Sequence, residues 1–493
     1  MKLHQLSKNM TLLETVNWKA SLEVSAVVSD SRHVKQGALF VACPGPDVDG
    51  QQFIQEAFER GARVAVGEKM PAQPLPVGGV FLRVPDAREA LSHFLNQIHG
   101  FPAEKMRLIG VTGTNGKTTI AYLLNHLLRS RLSSAYIGTL GVDAPRFKQP
   151  LSNTTPGAEE LFSILAKIQH QGGRTVALEV SSHSLDQKRV LGLQFELAIF
   201  TQLSAEHLDY HQSLENYFQA KRLLFTQSPR PRQMLINRDS DHGRQLLKEN
   251  PLAESFSIID EADYFASEIT TTFEGSEFLF HGPLGKCRFR TQVPFLHNVS
   301  NITATLASLD MLGFNPSDFQ EPLEKFSGIP GRLERIDGID FRVFVDYAHT
   351  PDAFEHILSE ARRLQPKRVL TLFGCGGDRD PFKRPEMARI AFHYSDLIIL
   401  TSDNPRTEDP AEIVRQMRKG LPEGKVLPHV LEIPDRREAI QELLSRAETD
   451  DALFILGKGH EDYQILGKQK IHFDDREVVK EILTQLRRSR VSL

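Results

Sequence analysis

Residues that could hold a triphosphate stand between an apolar run and a helical pattern. Residues 110–119 are Gly-Val-Thr-Gly-Thr-Asn-Gly-Lys-Thr-Thr. They follow the apolar run 106–109 and precede apolar residues at 120, 123, 124, 127 and 128, the spacing of one buried helix face. A glycine-rich turn at a helix N-terminus presents backbone N–H groups to an anion. We predict a phosphate loop in which Lys117 reaches the terminal phosphates of ATP and the Thr118 hydroxyl binds Mg2+.

The loop departs from the usual P-loop spacing at one position. Val111 stands where glycine is usual, and glycines fall instead at 110, 113 and 116. An ordinary glycine turn before a helix is the alternative interpretation. The pattern resembles the phosphate loop of the Mur ligase and folylpolyglutamate synthase superfamily, whose members use ATP to join a carboxylate to an amine. The resemblance implies ATP contacts for Gly113, Thr114, Asn115, Gly116, Lys117, Thr118 and Thr119.

The composition favours a multidomain globular protein and excludes several classes. A chain of 493 residues is too long for one ordinary core. The net charge of -4 gives no electrostatic reason to bind nucleic acid. Three widely spaced cysteines suggest neither a disulfide framework nor a zinc site. Because no apolar run suits a signal peptide or a membrane span, we expect a cytoplasmic protein without membrane or nucleic-acid partners, and a monomer.

Short apolar runs alternate with helical patterns, which predicts α/β architecture with mainly parallel strands. Thr and Phe alternate between about 254 and 296, which predicts a small antiparallel sheet. We expect a helix at 87–99 and a linker at 100–104. We predict strands at 26–28, 38–42, 64–66, 80–84, 106–109, 176–178, 197–200, 234–236, 343–345, 369–373, 397–400 and 453–456.

These elements divide into three predicted domains. Residues 1–103 form an N-terminal domain, which the resemblance makes the UDP-substrate domain. Residues 104–332 form a central P-loop ATPase domain with a parallel sheet and the small antiparallel sheet. Residues 333–493 form a Rossmann-like domain, where the resemblance places the amino-acid site. Four polar loops follow strands in this last third, at 346–351, 374–380, 402–406 and 457–462. Parallel strands end at one sheet edge, so we expect the loops to share a crevice.

Residues suited to metal chemistry follow the phosphate loop. Glu179 ends an apolar run, where an ATPase needs an acidic partner for magnesium, although a solvated strand end is the alternative. The segments 179–183, 206–211 and 220–225 resemble successive signatures of the Mur ligases, with Gln202 and Glu206 where Asn and Asp are more usual. From the pattern alone, Lys221 is a surface lysine on an amphipathic helix, but the resemblance implies that it is carbamylated by CO2 and binds a second Mg2+. It also implies that Glu179 and His207 complete the two metal sites beside Thr118. It gives Lys117, Lys221, His207 and Glu179 as the catalytic residues.

Further segments match the family in chain order. Asn298 and Asn301 resemble a pair near the adenine, although a helix N-cap and its neighbour would explain them equally. Arg332 matches a residue near the phosphates, and Asp346 one near the ribose. The N-terminal segments 29–32, 37–42 and 49–50 and the segment 153–156 resemble the branch that extends a UDP-N-acetylmuramoyl dipeptide. A turn with a helix cap would explain 29–32 taken alone. That resemblance implies UDP-substrate contacts for Ser31, Asn153, Thr154, Thr155, Ser181, Gln187 and Arg189.

The segment 403–406, Asp-Asn-Pro-Arg, bears on which amino acid is added. In the family it accompanies addition of meso-diaminopimelate, which is lysine with a second carboxylate. The planar fork of Arg406 suits a carboxylate, and lysine would leave it unpaired. The resemblance implies amino-acid contacts for Arg379, Asp403, Asn404, Pro405, Arg406, Gly457 and Glu461.

The resulting hypothesis is an ATP-dependent amide ligase. It would add meso-diaminopimelate to the D-glutamate of UDP-N-acetylmuramoyl-L-alanyl-D-glutamate through an acyl phosphate, for peptidoglycan precursor synthesis. ATP, two Mg2+ ions and the Lys221 carbamate would be its cofactors. The alternatives are a lysine-adding ligase of the same type, a ligase like folylpolyglutamate synthase, or a P-loop switch that controls a protein partner.

Overall fold

The computed structural model describes residues 1–45, 48–337, 340–422, 424 and 427–491. These form two compact units. Unit 1 comprises Met1–Gly113, Ile120–Gln202 and Glu215–Glu254. Unit 2 comprises Thr114–Thr119, Leu203–Leu214 and Ser255–Leu493. Within the described chain, no helix is both long enough and apolar enough to cross a bilayer.

The strands, in chain order, are β1 (Glu14–Val16), β2 (Val27–Val28), β3 (Leu39–Val41), β4 (Val64–Gly67), β5 (Val80–Arg83), β6 (Arg107–Thr112), β7 (Ser134–Gly138), β8 (Gly141–Ala144), β9 (Phe147–Gln149), β10 (Thr175–Glu179), β11 (Leu197–Phe200), β12 (Gln233–Asn237), β13 (Glu254–Ser257), β14 (Tyr264–Thr272), β15 (Gly275–Gly282), β16 (Gly285–Thr291), β17 (Glu334–Asp337), β18 (Arg342–Asp346), β19 (Val369–Phe373), β20 (Leu397–Leu400), β21 (Val430–Glu432), β22 (Ala452–Leu456), β23 (Tyr463–Leu466) and β24 (Gln469–His472).

The α-helices are α1 (Leu3–Leu6), α2 (Ile54–Glu59), α3 (Ala87–Ile98), α4 (Lys117–Leu128), α5 (Ala158–His170), α6 (Ser182–Asp186), α7 (Leu208–His211), α8 (Leu214–Thr226), α9 (Asp241–Glu249), α10 (Leu296–Met311), α11 (Gln320–Glu324), α12 (Pro351–Arg363), α13 (Lys383–Tyr394), α14 (Pro410–Arg418), α15 (Arg436–Ser445) and α16 (Asp475–Val491). Short 3-10 helices lie at Ser31–His33, Gly50–Phe53, Pro102–Lys105 and Pro316–Phe319.

Unit 1 contains two mainly parallel sheets. The first has the order β1-β5-β4-β3-β2, with only β1 antiparallel to its neighbour. In the second, β12, β11, β6, β10 and β7 are parallel neighbours, and β8 and β9 continue from β7 as antiparallel strands. Strands buried on both faces read as continuous apolar runs, which is why the sequence indicated β6, β10 and β11. Strand β7 is also buried, but it was not predicted. The phosphate-loop strand β6 lies between β11 and β10, at the centre of this parallel set.

Unit 2 contains the predicted antiparallel strands and a six-stranded sheet. Strands β14, β15 and β16 form an antiparallel meander, but β13 pairs with β14 in parallel, so the prediction of a purely antiparallel region was too simple. The six-stranded order is β17-β18-β22-β19-β20-β21, parallel except for β17. The four strands that precede the polar loops are therefore neighbours, as predicted, and their carboxyl ends share one edge.

Helices cover both faces of the six-stranded sheet. Helices α12, α13 and α14 pack on one face, and α15 and α16 pack on the other, each over a buried apolar cluster. The first cluster includes Phe344 and Phe454, stacked with ring centroids 5.3 Å apart, and Phe273 from the β14–β15 turn. Hydrophobic burial thus ties the antiparallel meander to the C-terminal sheet within unit 2.

Several helices begin at a side-chain cap that the sequence shows. Asp86 accepts a hydrogen bond from Glu89 N at the start of α3. Thr350 and Asp409 cap α12 and α14, each followed by proline at the first helical position. The predicted helix at 87–99 is thereby confirmed. The expected linker at 100–104 is only partly irregular, because Pro102–Lys105 forms a 3-10 turn.

Candidate active site

The phosphate loop lies between β6 and α4, as the sequence predicted. Strand β6 extends to Thr112, so Gly110 belongs to the strand and not to the turn. A Cβ at Gly110 would lie 2.7 Å from the Phe195 ring, so this glycine is required for packing. Gly113 has a φ of +143°, and a Cβ there would lie 1.8 Å from Thr201 Oγ1. Helix α4 begins at Lys117, so residues 113–116 form the turn at its N-terminus.

The ammonium group of Lys117 makes a hydrogen bond within the phosphate loop. Its Nζ donates to the carbonyl oxygen of Thr114 at 2.8 Å. Thr114 and Ser204 are joined in both directions, because Thr114 Oγ1 donates to Ser204 O at 3.1 Å and accepts from Ser204 N at 3.0 Å. The loop is thus fastened to residues 203–206, which precede His207. His207 itself has a left-handed backbone with φ +56°, and its Nε2 lies 3.8 Å from Glu206 Oε2.

Arg332 connects the phosphate loop with the C-terminal sheet inside unit 2. Its Nη2 donates to Thr118 Oγ1 at 3.3 Å, and its guanidinium lies 4.8 Å from the centre of the Tyr347 ring. Arg332 Nε is buried and has no hydrogen-bond partner. A half-buried cation with a buried donor left over suits an anionic ligand. This geometry is compatible with the predicted position of Arg332 near the phosphates.

Asp346 is buried at the end of β18 and supports the segment that carries Arg332. Its two oxygens accept hydrogen bonds from Leu333 N and Ala348 N, both at 2.6 Å. Burial raises the pKa of Asp346, while Arg332 and the two backbone donors oppose that rise. The carboxylate is therefore engaged in shaping its own loop, and the predicted ribose contact stays a prediction.

Asn298 and Asn301 lie in the first turns of α10, and both are buried. Asn298 Nδ2 donates to Pro294 O at 2.8 Å, a contact local to the start of the helix. The N-cap position of α10 is Phe295 and has no side-chain cap hydrogen bond, so the N-cap interpretation of Asn298 is wrong. The adenine contacts remain predictions.

Glu179 ends β10 and is fully buried. Its Oε1 accepts from Tyr136 Oη and from Thr139 N at 2.9 Å, and Oε2 accepts from Thr139 Oγ1 at 3.2 Å. Gly138 makes room for this carboxylate, since a Cβ there would lie 2.2 Å from Glu179 Oε1. Sequence reasoning found Glu179 but missed its donors, because β7 had not been predicted.

Lys221 is buried on α8, where the sequence pattern alone indicated a surface lysine. Its Nζ donates to Gly113 O at 2.8 Å and lies 4.3 Å from the centre of the Tyr217 ring. The side chain thus reaches the first residue of the phosphate-loop turn. The surface interpretation is wrong, and the position is compatible with the family-based role.

The predicted UDP-substrate residues of the middle region lie together in unit 1. Thr155 Oγ1 donates to Glu179 O at 2.7 Å and accepts from Ser181 N at 3.0 Å. Arg189 Nη1 donates to Thr155 O at 2.7 Å, and its Nη2 donates to Gln187 Oε1 at 2.6 Å. Two more members of the set lie nearby in sequence: Thr154, whose Oγ1 is 3.1 Å from Thr139 Oγ1, and Asn153, which is exposed.

The segment 29–32 makes contacts within itself and with more distant parts of unit 1. Asp30 caps the short helix Ser31–His33 and pairs with Arg32, as the turn-and-cap alternative predicts. Ser31 Oγ donates to Glu56 Oε2 at 3.1 Å. Ser29 N donates at 2.7 Å to Glu159, in the first turn of α5. Within unit 1 this segment therefore lies beside residues that follow 153–156.

The loops after β20 and β22 form one buried polar cluster. Asn404 Nδ2 donates to Asp403 Oδ1 at 2.9 Å and to Glu461 Oε2 at 2.8 Å. Lys458 Nζ lies 3.5 Å from the same Glu461 oxygen. Burial and the neighbouring Asp403 carboxylate raise the pKa of Glu461, and Lys458 opposes that rise. Gly457, with φ +113°, keeps this space open, because a Cβ would lie 2.8 Å from Asp403 Oδ2.

Arg406 is anchored at this edge with its backbone in the left-handed region, φ +52°. Its Nη1 donates to Gly377 O at 2.8 Å. Its backbone N–H donates to Ile465 O at 3.0 Å, and Gly467 N donates to Arg406 O at 2.7 Å. Arg379 is exposed, and its Nη1 lies 3.5 Å from Asp378 O. The structure thus groups Asp403, Asn404, Gly457 and Glu461, and holds Arg406 beside the loop that carries Arg379.

A buried ion pair that the sequence did not reveal links two of the loop-bearing strands. Arg436 Nε and Nη2 donate to the two oxygens of Asp475, each at 2.7 Å. The same guanidinium donates to Ser402 O and Leu456 O, both at 3.1 Å. No motif marks Arg436, since its sequence context is an ordinary amphipathic helix.

Known proteins resemble this chain along its whole length. Family models match residues 23–99 (Mur ligase family, catalytic domain), 111–309 (Mur ligase middle domain) and 331–459 (Mur ligase, glutamate ligase domain). A UDP-N-acetylmuramoyl-L-alanyl-D-glutamate–2,6-diaminopimelate ligase of Gloeobacter violaceus is 41% identical, with 99% of each chain covered. Its counterpart in Trichormus variabilis is 39% identical over 98% of this chain and 99% of its own.

A solved structure of a ligase with the same name has a TM-score of 0.72 and 32% sequence identity. The match covers 99% of this chain and 100% of that one. The three-domain α/β fold predicted from the sequence is therefore confirmed. With matches of this length and identity, the chain belongs to the Mur ligase family.

Proposed function

We propose that this protein is an ATP-dependent ligase that adds meso-diaminopimelate to UDP-N-acetylmuramoyl-L-alanyl-D-glutamate. The observation that carries the proposal lies in unit 2, where Arg332 contacts Thr118 of the phosphate loop. The loops of the adjoining six-stranded sheet hold the acidic cluster of Asp403 and Glu461 and also Arg406. Thr118 and Arg332, to which we assign phosphate binding, and Arg406, to which we assign amino-acid binding, thus belong to one compact unit. The relatives that match along the full chain carry the same activity in their names.

The proposal assigns a task to each predicted domain. Residues 1–103 bind the uridine nucleotide, 104–332 bind ATP, and 333–493 bind the amino acid. The enzyme works as a cytoplasmic monomer on small-molecule substrates, in peptidoglycan precursor synthesis. Light scattering after size exclusion tests the oligomeric state.

The reaction proceeds in two displacements. A carboxylate oxygen of the substrate's D-glutamate attacks the γ-phosphorus of ATP, and the bond from that phosphorus to the bridging oxygen breaks. ADP leaves, and an acyl phosphate remains. The amine of diaminopimelate then attacks the acyl carbon, inorganic phosphate leaves, and the amine loses one proton. The protein positions the substrates and neutralises the charge of the phosphates. Lys117 of the phosphate loop and Arg332, which contacts that loop, are the cations.

The residues present provide oxygen donors for magnesium. The Thr118 hydroxyl and the Glu179 carboxylate are the hard ligands that Mg2+ prefers, while His207 would supply a nitrogen. Among the described residues, no three His, Cys, Asp or Glu side chains gather into a metal site by themselves. Carbamylation of Lys221 would add the missing anionic oxygens at the start of the phosphate loop. When bound, the ions would neutralise the charge of the phosphates.

Selectivity for diaminopimelate rests on Arg406. The acidic cluster of Asp403 and Glu461 suits the ammonium group that lysine and diaminopimelate share. Only diaminopimelate offers a second carboxylate to the guanidinium. A site that leaves a polar group unpaired rejects the analogue by roughly 10^4 to 10^5 in kcat/KM.

The test is phosphate release with ATP, magnesium and the UDP-muramoyl dipeptide, with meso-diaminopimelate, L-lysine or no amino acid. We expect release only with diaminopimelate. Lys117→Ala should abolish acyl-phosphate formation, and Arg406→Ala should mainly raise KM for diaminopimelate. Turnover with lysine alone would overturn the selectivity. Absence of release with either amino acid would favour a ligase like folylpolyglutamate synthase or a switch protein.

A further inference from the structure

Arg384, in the first turn of α13, is fully buried and touches no predicted substrate group. Its guanidinium forms a bidentate pair with Glu408, at 2.8 Å from Nη1 to Oε2 and 2.9 Å from Nη2 to Oε1. Nη1 also donates to Gln416 Oε1 at 2.7 Å, and Nη2 donates to Gly376 O at 3.0 Å. A buried arginine of this kind is costly to desolvate.

The pair fixes the loop that follows β19. Besides the contact of Arg384 with Gly376, Glu408 Oε1 accepts from Asp378 N at 2.6 Å. The Asp378 carboxylate in turn accepts from Thr407 Oγ1 at 2.7 Å. Backbone groups on both sides of Gly377 are therefore held by one ion pair. The loop has little freedom to shift while this pair is intact.

Arg406 depends on that loop for its position. Its Nη1 donates to Gly377 O. The same nitrogen lies close to Gly376, because a Cβ added to that glycine would be 3.0 Å from it. The left-handed backbone of Arg406 is unfavourable for a residue with a side chain, so the surroundings must enforce it. The carbonyl that orients the guanidinium is itself placed by Arg384 and Glu408.

Stability alone does not explain why the buried Arg384 is paired with Glu408. Replacing a buried ion pair by apolar side chains of similar volume is often neutral or stabilising, so stability alone gives weak reason for such a pair. What apolar side chains could not supply is the directional contact with Gly376 O and Asp378 N. Arg384 and Glu408 therefore fix the positions of Gly376 O and Asp378 N in the loop after β19.

We propose that Arg384, acting through Glu408 and residues 376–378, is a positioning residue for Arg406. It thereby sets the selectivity for the second carboxylate of diaminopimelate. This inference rests on the proposed function.

The test measures kcat and KM for each substrate in Arg384→Lys and Glu408→Gln, with the wild-type protein assayed first. We expect KM for diaminopimelate to rise roughly 10- to 100-fold, the range caused by small misplacements of a binding group. KM for ATP should stay unchanged, and discrimination against lysine should fall. Arg389→Lys is the matched control, because Arg389 pairs with Glu386 on the same helix at an exposed site.

A double-mutant cycle with Arg406→Ala completes the design. If Arg384 acts through Arg406, adding Arg384→Lys to Arg406→Ala changes KM for diaminopimelate no further. Additive effects, or an equal rise in KM for ATP, would overturn the inference. If Arg384→Lys does not fold, the kinetics of Glu408→Gln test the inference alone. That variant keeps the buried Arg384 cation, removes the negative charge of residue 408 and leaves it one acceptor oxygen in place of two. Lack of turnover by the wild-type protein would instead refute the proposed function.

Discussion

Asn115 and Asp352, 237 residues apart in sequence, are joined by a hydrogen bond of 3.0 Å from Asn115 Nδ2 to Asp352 Oδ2. The same oxygen accepts from Ser204 Oγ at 2.8 Å. One carboxylate in the first turn of α12 therefore holds both the phosphate loop and the segment before His207. This contact lies within unit 2 and joins the phosphate loop to α12, which packs on the six-stranded sheet.

Asp352→Ala should weaken ATP binding. Loss of a hydrogen bond to a charged group costs about 1.5–3 kcal/mol, so we expect KM for ATP to rise by roughly 10- to 100-fold. Glu355→Ala is the control, because Glu355 lies on the same helix and accepts a hydrogen bond from Tyr394 of α13. Steady-state kinetics at saturating diaminopimelate measures the effect. A lower KM for ATP in Asp352→Ala would mean that the contact competes with the nucleotide.

Lys221→Ala should abolish ligation while the protein stays folded. The neutral variant removes both the donor to Gly113 O and the site of the proposed carbamate. Isotope-labelled bicarbonate should give a carbamate signal in the NMR spectrum of the wild-type protein and none in Lys221→Ala. Lys248→Ala, at an exposed lysine of α9, should retain both the signal and the activity. Full activity in Lys221→Ala would refute the role of this lysine.

Gly331→Ala should displace the segment that carries Arg332. Gly331 has φ +65°, and a Cβ would lie 2.0 Å from His460 N, so the backbone must move. We expect the free energy of unfolding to fall by about 1–3 kcal/mol and KM for ATP to rise. Gly328→Ala is a matched control, since φ is +106° there and, its two chain neighbours apart, no heavy atom of the described residues lies within 4 Å of the added Cβ. Equal losses of stability in the two variants would exclude the clash as the cause.

Acid should destabilise the protein partly through His297. Burial lowers the pKa of His297 to about 4, below its ordinary value of 6.5. Between these values the unfolded chain binds more protons, so the free energy of unfolding falls as pH falls through this window. The slope is at most about 1.4 kcal/mol per pH unit. Chemical denaturation from pH 7 to pH 4 should show a shallower loss in His297→Gln.

The same comparison from pH 7.5 to pH 8.5 is the control for this measurement, because the folded and the unfolded pKa of His297 both lie below that range. There, His297→Gln should show the same slope of stability against pH as the wild-type protein. If His297→Gln keeps the full wild-type slope from pH 7 to pH 4, the acid sensitivity has another origin.

The best-predicted elements are central strands with continuous apolar runs. Strands β11, β19 and β20 begin and end where the sequence indicated, because burial on both faces demands apolar residues at every position. The edge strands β17 and β21 and the hairpin β23–β24 were not predicted. Their partly exposed faces leave a weaker apolar pattern, and their existence depends on pairing with a neighbour.

The sequence by itself determined the α/β class, the order of the elements and the residue types of the candidate site. Local chemistry is sufficient for these, since a phosphate loop needs its glycines, lysine and threonine in a fixed order. Only the tertiary structure decided which distant groups support them. Asp352 beside Asn115, Arg384 beside Gly376 and Arg436 beside Asp475 are each pairs from separate elements. Their side chains are ordinary surface types in sequence, and packing of the sheets and helices alone brings them within hydrogen-bond distance.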